Sequence, residues 1–223
     1  MFRIIPALLT KDQIKSLHDI AAKSKFVDGR ISARTMPEEV KKNEQVKPSE
    51  DNVTAINQII AEALRGNKDF LDFAMPQRFQ PATISRYQTG MYYERHLDAP
   101  IMGHVNKLRT DLSITIFLSD IDAYDGGELA IEMETGEEMV KLPAGDAIVY
   151  ETSAYHRVAE ITRGERLAAV TWIQSLVRDP ARRQILRNLS ESLKQVREVA
   201  PDSEVAELLH ETYANLMRMW AEI

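Results

Sequence analysis

The chain of 223 residues contains no cysteine. That absence removes disulfide scaffolds, cysteine nucleophiles, iron–sulfur clusters and thiolate zinc sites together. Any metal must use His, Asp, Glu or backbone oxygen. Positive charge is also short: 28 Lys and Arg stand against 34 Asp and Glu, for a formal net charge of −6. Duplex-binding proteins usually carry a basic surplus, so nucleic acid is not an expected partner. No apolar run approaches the roughly 18 residues that cross a bilayer, so no membrane partner is expected either. The apolar patch at residues 1–9 is too short and too poorly flanked for a secretory signal. The cytoplasm is the expected location.

What is present is an ordinary globular composition, 44% hydrophobic and 28% charged, which argues against disorder as the main state. The patterns divide the chain into three sections. Residues 1–75 read as mostly helical. Thr10 and Gln13 fit a capping box ahead of Ile14, Leu17, Ile20 and Ala21 at helical spacing. A second stripe, Val53, Ile56, Ile59, Ile60, Ala63 and Leu64, runs from about Asp51 to a stop at Gly66. The Lys-rich stretch 36–50 between them reads as a polar loop with solvated lysines.

Residues 76–176 change period. Strands are expected at 82–87, 112–118, 129–133, 146–150, 155–161 and 167–174, with turn signals such as Asp125-Gly126-Gly127 and Pro143-Ala144-Gly145-Asp146 between them. Many short strands so spaced point to an antiparallel sandwich or barrel, mainly β with flanking helices. Residues 177–223 are helical again. Asp179-Pro180 marks a helix start, and the last stripe, Val205, Leu208, Leu209, Thr212, Leu216 and Met219, is wide enough to need a packing partner. That partner is either the body of the protein or a second copy in a homo-oligomer.

Histidine numbers only five: His18, His96, His104, His156 and His210. His96-Leu97-Asp98 puts an imidazole and a carboxylate two residues apart. On an extended segment, which Tyr92-Tyr93 favours, such a pair shares one face and can reach one ion. His156 comes from a later strand. Two neutral imidazoles and one carboxylate make the facial donor set of non-haem Fe(II), leaving open positions on the metal. Arg166 stands at the head of an apolar strand, where its fork can grip a carboxylate. The dicarboxylate 2-oxoglutarate meets both demands, one end chelating iron and the other needing a cation. Each residue alone also has a commonplace reading, as a satisfied histidine, a solvated carboxylate or a strand ion pair. His18 and His210 read as polar-face helix residues, and His104 as a loop histidine, solvated or lining an entrance.

One geometric condition attaches. A two-residue turn at Arg163-Gly164 would send His156 and Arg166 to opposite sides. Joint action requires a three-residue turn at Arg163-Gly164-Glu165 or a strand that changes sheet.

Taken together, Tyr87-x-x-Gly90-x-x-Tyr93-x-x-His96-x-Asp98, Gly126-Gly127-Glu128-Leu129, Pro143-x-Gly145-Asp146, His156 and Arg166 resemble the prolyl-4-hydroxylase-like branch of the Fe(II)/2-oxoglutarate-dependent dioxygenases. More narrowly, the sequence is similar to the bacterial PKHD-type hydroxylases. Phe26-Val27-Asp28-Gly29-Arg30, Val40-Lys41-Lys42-Asn43, Arg109-Thr110-Asp111-Leu112-Ser113, Trp172-Ile173-Gln174-Ser175 and Trp220-Ala221-Glu222-Ile223 carry that likeness over essentially the whole chain.

The resemblance implies a double-stranded β-helix core, a jelly-roll and cupin relative. It implies a dioxygenase domain at residues 1–176 and a C-terminal helical extension at 177–223. It makes His96, Asp98 and His156 the iron ligands, Arg166 the partner of the distal 2-oxoglutarate carboxylate, and Tyr87 a further co-substrate contact. Fe(II), 2-oxoglutarate, L-ascorbate and O2 are the implied cofactors and co-substrates. The implied reaction is hydroxylation with decarboxylation of 2-oxoglutarate to succinate and CO2, and Asp98, where a halogenase has a small residue, favours hydroxylation. The substrate is expected to be a small molecule or amino-acid-like unit. Peptidyl-prolyl hydroxylation and a non-catalytic cupin-like metal-binding module stay open as alternatives. A nucleic-acid-repair oxygenase would carry a second Arg where this chain has Trp172. Arg86, Tyr93, Arg109 and Asp111 are candidate outer contacts, with Arg109–Asp111 equally readable as a structural pair.

Overall fold

The computed structural model describes residues 1–32, 37–103 and 105–223. Among these residues the strands form two main antiparallel sheets, of nine and five strands, with helices outside. The larger sheet runs Phe2–Ile5, Ala147–Glu151, Leu112–Phe117, Ile161–Ser175, Thr83–Gln88, Glu44–Val46, Phe26–Asp28, and Tyr124–Gly126 and Pro76–Phe79 also pair with its longest strand. The smaller runs Gly136–Val140, Leu129–Met133, His156–Val158, Tyr92–His96, Lys41–Lys42. This is the expected jelly-roll core.

Alternation along the strands sorts the larger sheet into two faces. Ile84, Leu112, Ile114, Ile116, Val149 and Ala169 are buried with Leu17, Ile56, Leu64 and Phe70 from helices α1 (Lys11–Lys23), α2 (Glu50–Gly66) and α3 (Lys68–Ala74). The other face brings Tyr87, Phe117, Ile148 and Tyr150 against Leu129, Ile131 and Val158 of the smaller sheet. The buried Ser85, Ser113, Thr115 and Arg166 share the parity of this inner face. The helix side is mainly apolar, and the inner face carries most of the larger sheet's buried polar groups along these strands.

The capping box at Thr10 and Gln13 forms as expected. Within the first 75 residues three features differ from the sequence expectations. Four strands lie within the first 75 residues among the described ones, because runs of two to four residues are too short to show a period. Helix α3 is a short additional helix, started by Asn67, whose side chain accepts from the Phe70 N–H at 2.9 Å. And Lys41, expected in solvent, is only 5% exposed.

The segment at Arg163-Gly164 is not a turn. Ile161–Ser175 is one strand that pairs with Tyr124–Gly126 at its start and with Thr83–Gln88 from Glu165 onward. Gly164 holds φ +80°, and a Cβ there would lie 2.1 Å from the Ala123 carbonyl oxygen. Only glycine allows both the left-handed backbone and the close approach. The strand thus changes partner between His156 and Arg166, and both side chains reach the space between the sheets.

At the C-terminus, α4 (Pro180–Val199) and α5 (Glu204–Trp220) pack on the body through Met75, Val177 and Leu186, with Leu216, Met217 and Trp220 against them. Val205, Leu208 and Met219 stay exposed. No helix among the described residues is long and apolar enough to cross a membrane.

Candidate metal and co-substrate site

His96 closes the strand Tyr92–His96 and His156 opens the strand His156–Val158, and the two are direct cross-strand partners. Their ring centres are 4.2 Å apart. Asp98 lies just past the strand end, with Oδ1 3.8 Å from His96 Nε2 and Oδ2 3.6 Å from His156 Nε2. One ligand atom from each residue falls within 4.8 Å of the others. All three side chains are at most 10% exposed.

The surrounding hydrogen bonds orient these donors. His96 Nδ1–H donates to the Glu94 carbonyl at 2.7 Å, and His156 Nδ1–H to the Ala154 carbonyl at 3.1 Å. Each bond leaves the Nε2 lone pair free on the side of Asp98, the arrangement a metal requires. Burial, then the neighbouring His156, lowers His96 to about 4, which keeps the imidazole neutral. Asp98 Oδ2 accepts from Ser113 Oγ and from Trp172 Nε1, both at 2.8 Å. Oδ1 is left as the carboxylate's ligand atom.

Arg166 sits on the inner face opposite Tyr87 in the strand register. It is 2% exposed, its guanidinium lies 5.3 Å from the Tyr87 ring centre and 5.2 Å from that of Phe117, and its Nε and Nη2 have no hydrogen-bond partner. The Tyr124 hydroxyl beside it is also buried, with Arg166 as its polar neighbour. Burial pushes Tyr87 up to about 12 against the pull of Arg166, so this phenol stays a donor. A buried cradle with a cation that has no counter-ion among the described residues and neighbouring phenols fits the distal carboxylate of a dicarboxylate. The donor set at His96, Asp98 and His156 likewise fits Fe(II).

The other candidates scatter. Tyr93 stacks on His96 with ring centres 3.5 Å apart. Arg86 points to the outer side, paired with Glu44 at 2.7 Å. Arg109 forks onto Asp111 and also meets Glu222, while Asp111 accepts from the Ser175 N–H, so the pair ties the C-terminus to the body. His18 is more than a polar-face residue, since its Nε2 donates to the Leu118 carbonyl at 2.7 Å. His210 is exposed on α5. The expectation for His104 lies outside the described residues. Sequence reasoning missed Ser113 as a partner of Asp98 and Tyr124 beside Arg166, and took Trp172 only as a family marker. Those contacts span 15 to 74 residues of chain and leave no local pattern.

Two family profiles match this sequence, the 2OG-Fe(II) oxygenase superfamily over residues 82–174 and the PKHD-type hydroxylase C-terminal domain over residues 180–222. A PKHD-type hydroxylase of Thioalkalivibrio sulfidiphilus is 43% identical over 224 residues, covering 100% of both chains. The fold is similar to that of a prolyl hydroxylase from Trichoplax adhaerens in complex with a hypoxia inducible factor oxygen degradation domain peptide fragment. That likeness has a TM-score of 0.58 at 15% identity, over 77% of this chain and 82% of the other. It is also similar to HygX from Streptomyces hygroscopicus with nickel and 2-oxoglutarate bound, with a TM-score of 0.55 at 13% identity over 79% and 84% of the two chains.

Proposed function

The chain belongs to the PKHD-type hydroxylases of the 2OG-Fe(II) oxygenase superfamily, and from that premise we propose that it hydroxylates a small-molecule or amino-acid-like substrate, with His96, Asp98 and His156 holding Fe(II) and Arg166 and Tyr87 holding 2-oxoglutarate. The observation that carries this assignment is the buried guanidinium of Arg166, without a counter-ion among the described residues and with Nε and Nη2 unpartnered, in the same inter-sheet space as the triad. A desolvated cation without a counter-ion is costly, and an anion placed there relieves the cost.

Bound Fe(II) and 2-oxoglutarate supply the oxidising power: O2 is consumed, 2-oxoglutarate becomes succinate and CO2, and a substrate C–H becomes C–OH. The protein's own part is positional. Glu94 and Ala154 hold the two imidazoles in the ligating tautomer. Ser113 and Trp172 hold Asp98 by one oxygen. Phe117, Ile131 and Tyr150, each at most 3% exposed, keep water from the inner face. L-ascorbate is the proposed reductant that keeps iron ferrous, and the cytoplasm the proposed setting. A peptide substrate is the second reading. Ile101, 60% exposed, and Val105, 92% exposed, lie just beyond Asp98 and offer an apolar edge to a chain.

The test is succinate release and oxygen uptake with Fe(II) and 2-oxoglutarate, in the absence of any other substrate. The wild type is expected to turn over slowly and Asp98→Ala not at all. Equal rates in the two, or no succinate from an iron-loaded wild type, would contradict the proposal.

A further inference from the structure

Residues 41–45 carry the chain from the smaller sheet to the larger, pairing first with Tyr92 and Tyr93 and then with Ser85 and Arg86. Along this crossing Lys41, Asn43 and Gln45 are 5%, 4% and 5% exposed, while Lys42 is exposed and Glu44 half-buried. Three polar side chains therefore face inward where alternation would normally place apolar ones. Gln45 is accounted for by Ser85, 3.5 Å from its Nε2. The other two are not.

Lys41 Nζ donates to Ser32 Oγ at 2.8 Å and lies 4.6 Å from the centre of the Tyr93 ring, the ring that stacks on His96. No carboxylate is within ion-pair distance of it among the described residues. Asn43 has both Nδ2 and Oδ1 buried with no partner in good hydrogen-bond geometry; the Tyr87 hydroxyl is the one polar neighbour its amide engages, and Oδ1 lies against Gly29. Its seat is built for it. The Gly29 N–H donates to the Asn43 carbonyl at 2.8 Å, and a Cβ on residue 29 would fall 1.9 Å from Asn43 Oδ1. A cavity of about 490 Å³ opens onto the pair, lined also by Arg30, Met91 and Tyr92. Three acids also line it: Asp28 is engaged by Arg30, Glu44 by Arg86, and Glu39 is the third. Tyr87 divides the two polar regions, its ring toward Arg166 and its hydroxyl beside Asn43.

A buried amide with no polar neighbour but one phenol and a buried ammonium without a counter-ion are each unfavourable unless a ligand completes them. We propose that Lys41 and Asn43 form the subsite that recognises the substrate to be hydroxylated, and that this substrate is a carboxylic acid with a hydrogen-bond donor next to its carboxylate. Lys41 supplies the charge and Asn43 Nδ2 an N–H to the carboxylate. Asn43 Oδ1 accepts from the neighbouring amino or hydroxyl group. An α-amino or α-hydroxy acid has this pattern. The inference rests on the dioxygenase reading and deepens it by naming the substrate class.

The probes are acetate, glycolate and glycinate, each against its amide, titrated anaerobically into the protein loaded with Fe(II) and 2-oxoglutarate. The visible band of the iron–2-oxoglutarate chelate is the reporter. The acids should perturb the band saturably, glycolate and glycinate more tightly than acetate, and the amides should not. Lys41→Met and Asn43→Leu should weaken that response about tenfold or more, about 1.4 kcal/mol, while 2-oxoglutarate itself titrates within about twofold of wild type. The proposal is overturned if no acid perturbs the band, if amides act as well as acids, or if the variants respond like wild type, as direct ligation of the metal by the probe would have it. It is also overturned if the variants lose 2-oxoglutarate affinity, which would place the pair in the co-substrate pocket and leave the dioxygenase reading intact. A wild type that forms no band at all would remove that reading first.

Discussion

Lys41 shows what a single residue can cost and why the chain keeps it. Burial lowers its amine to about 8, with Asp98 and Asp28 pulling partly back. The folded chain therefore holds this proton less tightly than the unfolded one. Below about pH 8 the penalty of the buried charge is fully present. As pH rises from there toward the ordinary lysine value of about 10.4, the folded chain has released the proton while the unfolded chain retains it, and stability rises. Lys41→Met should therefore stabilise the protein by about 1–3 kcal/mol at pH 7, with the gain fading above about pH 10. Urea unfolding at the two pH values checks this, and a destabilised variant at pH 7 would contradict it. Stability gained where recognition is lost is the usual trade at a functional residue. The same residue marks a limit of sequence reading. Lys41-Lys42 looks like a solvated pair, and nothing local reveals that one of them faces the inner layer. His96 and Asp98 were legible because their spacing is itself the signal, whereas the Trp172 contact to Asp98 depends on a fold that joins residues far apart.

At the scale of elements, the long strand Ile161–Ser175 decides whether His156 and Arg166 can act together. The sequence posed that condition and could not choose between a wide turn and a strand that changes sheet. The choice rests on Gly164 meeting the Ala123 carbonyl, a contact between distant segments. The C-terminal helices pose a different question. Residues 1–176 are proposed as the catalytic unit and 177–223 as its helical extension. The two are joined by a buried ion pair, since Arg183 Nη2 donates to Glu151 Oε2 at 2.6 Å and Nη1 to the carbonyls of Val177 and Arg178. Glu151 precedes Thr152, whose hydroxyl lies 3.0 Å from Ser113 Oγ, the donor to Asp98. Removing one member of such a pair strands a charge in the interior. Arg183→Met should cost about 3–5 kcal/mol in chemical denaturation. A loss under about 1 kcal/mol would mean that this ion pair contributes little and that apolar packing and the other polar ties, such as Arg109 to Glu222, hold the helices.

Over the whole molecule, two sheets with apolar outer packing and an inner layer that mixes apolar and polar side chains account for both stability and site. The alternating strands of the middle section were legible because five to seven residues suffice to show period two. The N-terminal strands are shorter and were read as loop or helix, although two of them carry Lys41 and flank Asn43. The jelly-roll core was legible through a family resemblance spread over the whole chain, and the same resemblance is what proposes the triad and Arg166 as site residues. The ring of partners around them was not legible, because each contact crosses from one sheet or strand to another.

The central claim is that one inter-sheet space binds iron through His96, Asp98 and His156 and 2-oxoglutarate through Arg166. It is tested most directly by anaerobic titration of 2-oxoglutarate into the Fe(II)-loaded protein, recording the visible chelate band. The account predicts a saturable band in the wild type and none in Asp98→Ala. In Arg166→Met it predicts a band that needs about thirty- to a thousandfold more 2-oxoglutarate, the equivalent of about 2–4 kcal/mol. A wild type that binds Fe(II) tightly yet develops no band, or an Arg166→Met protein that titrates like wild type, would contradict it.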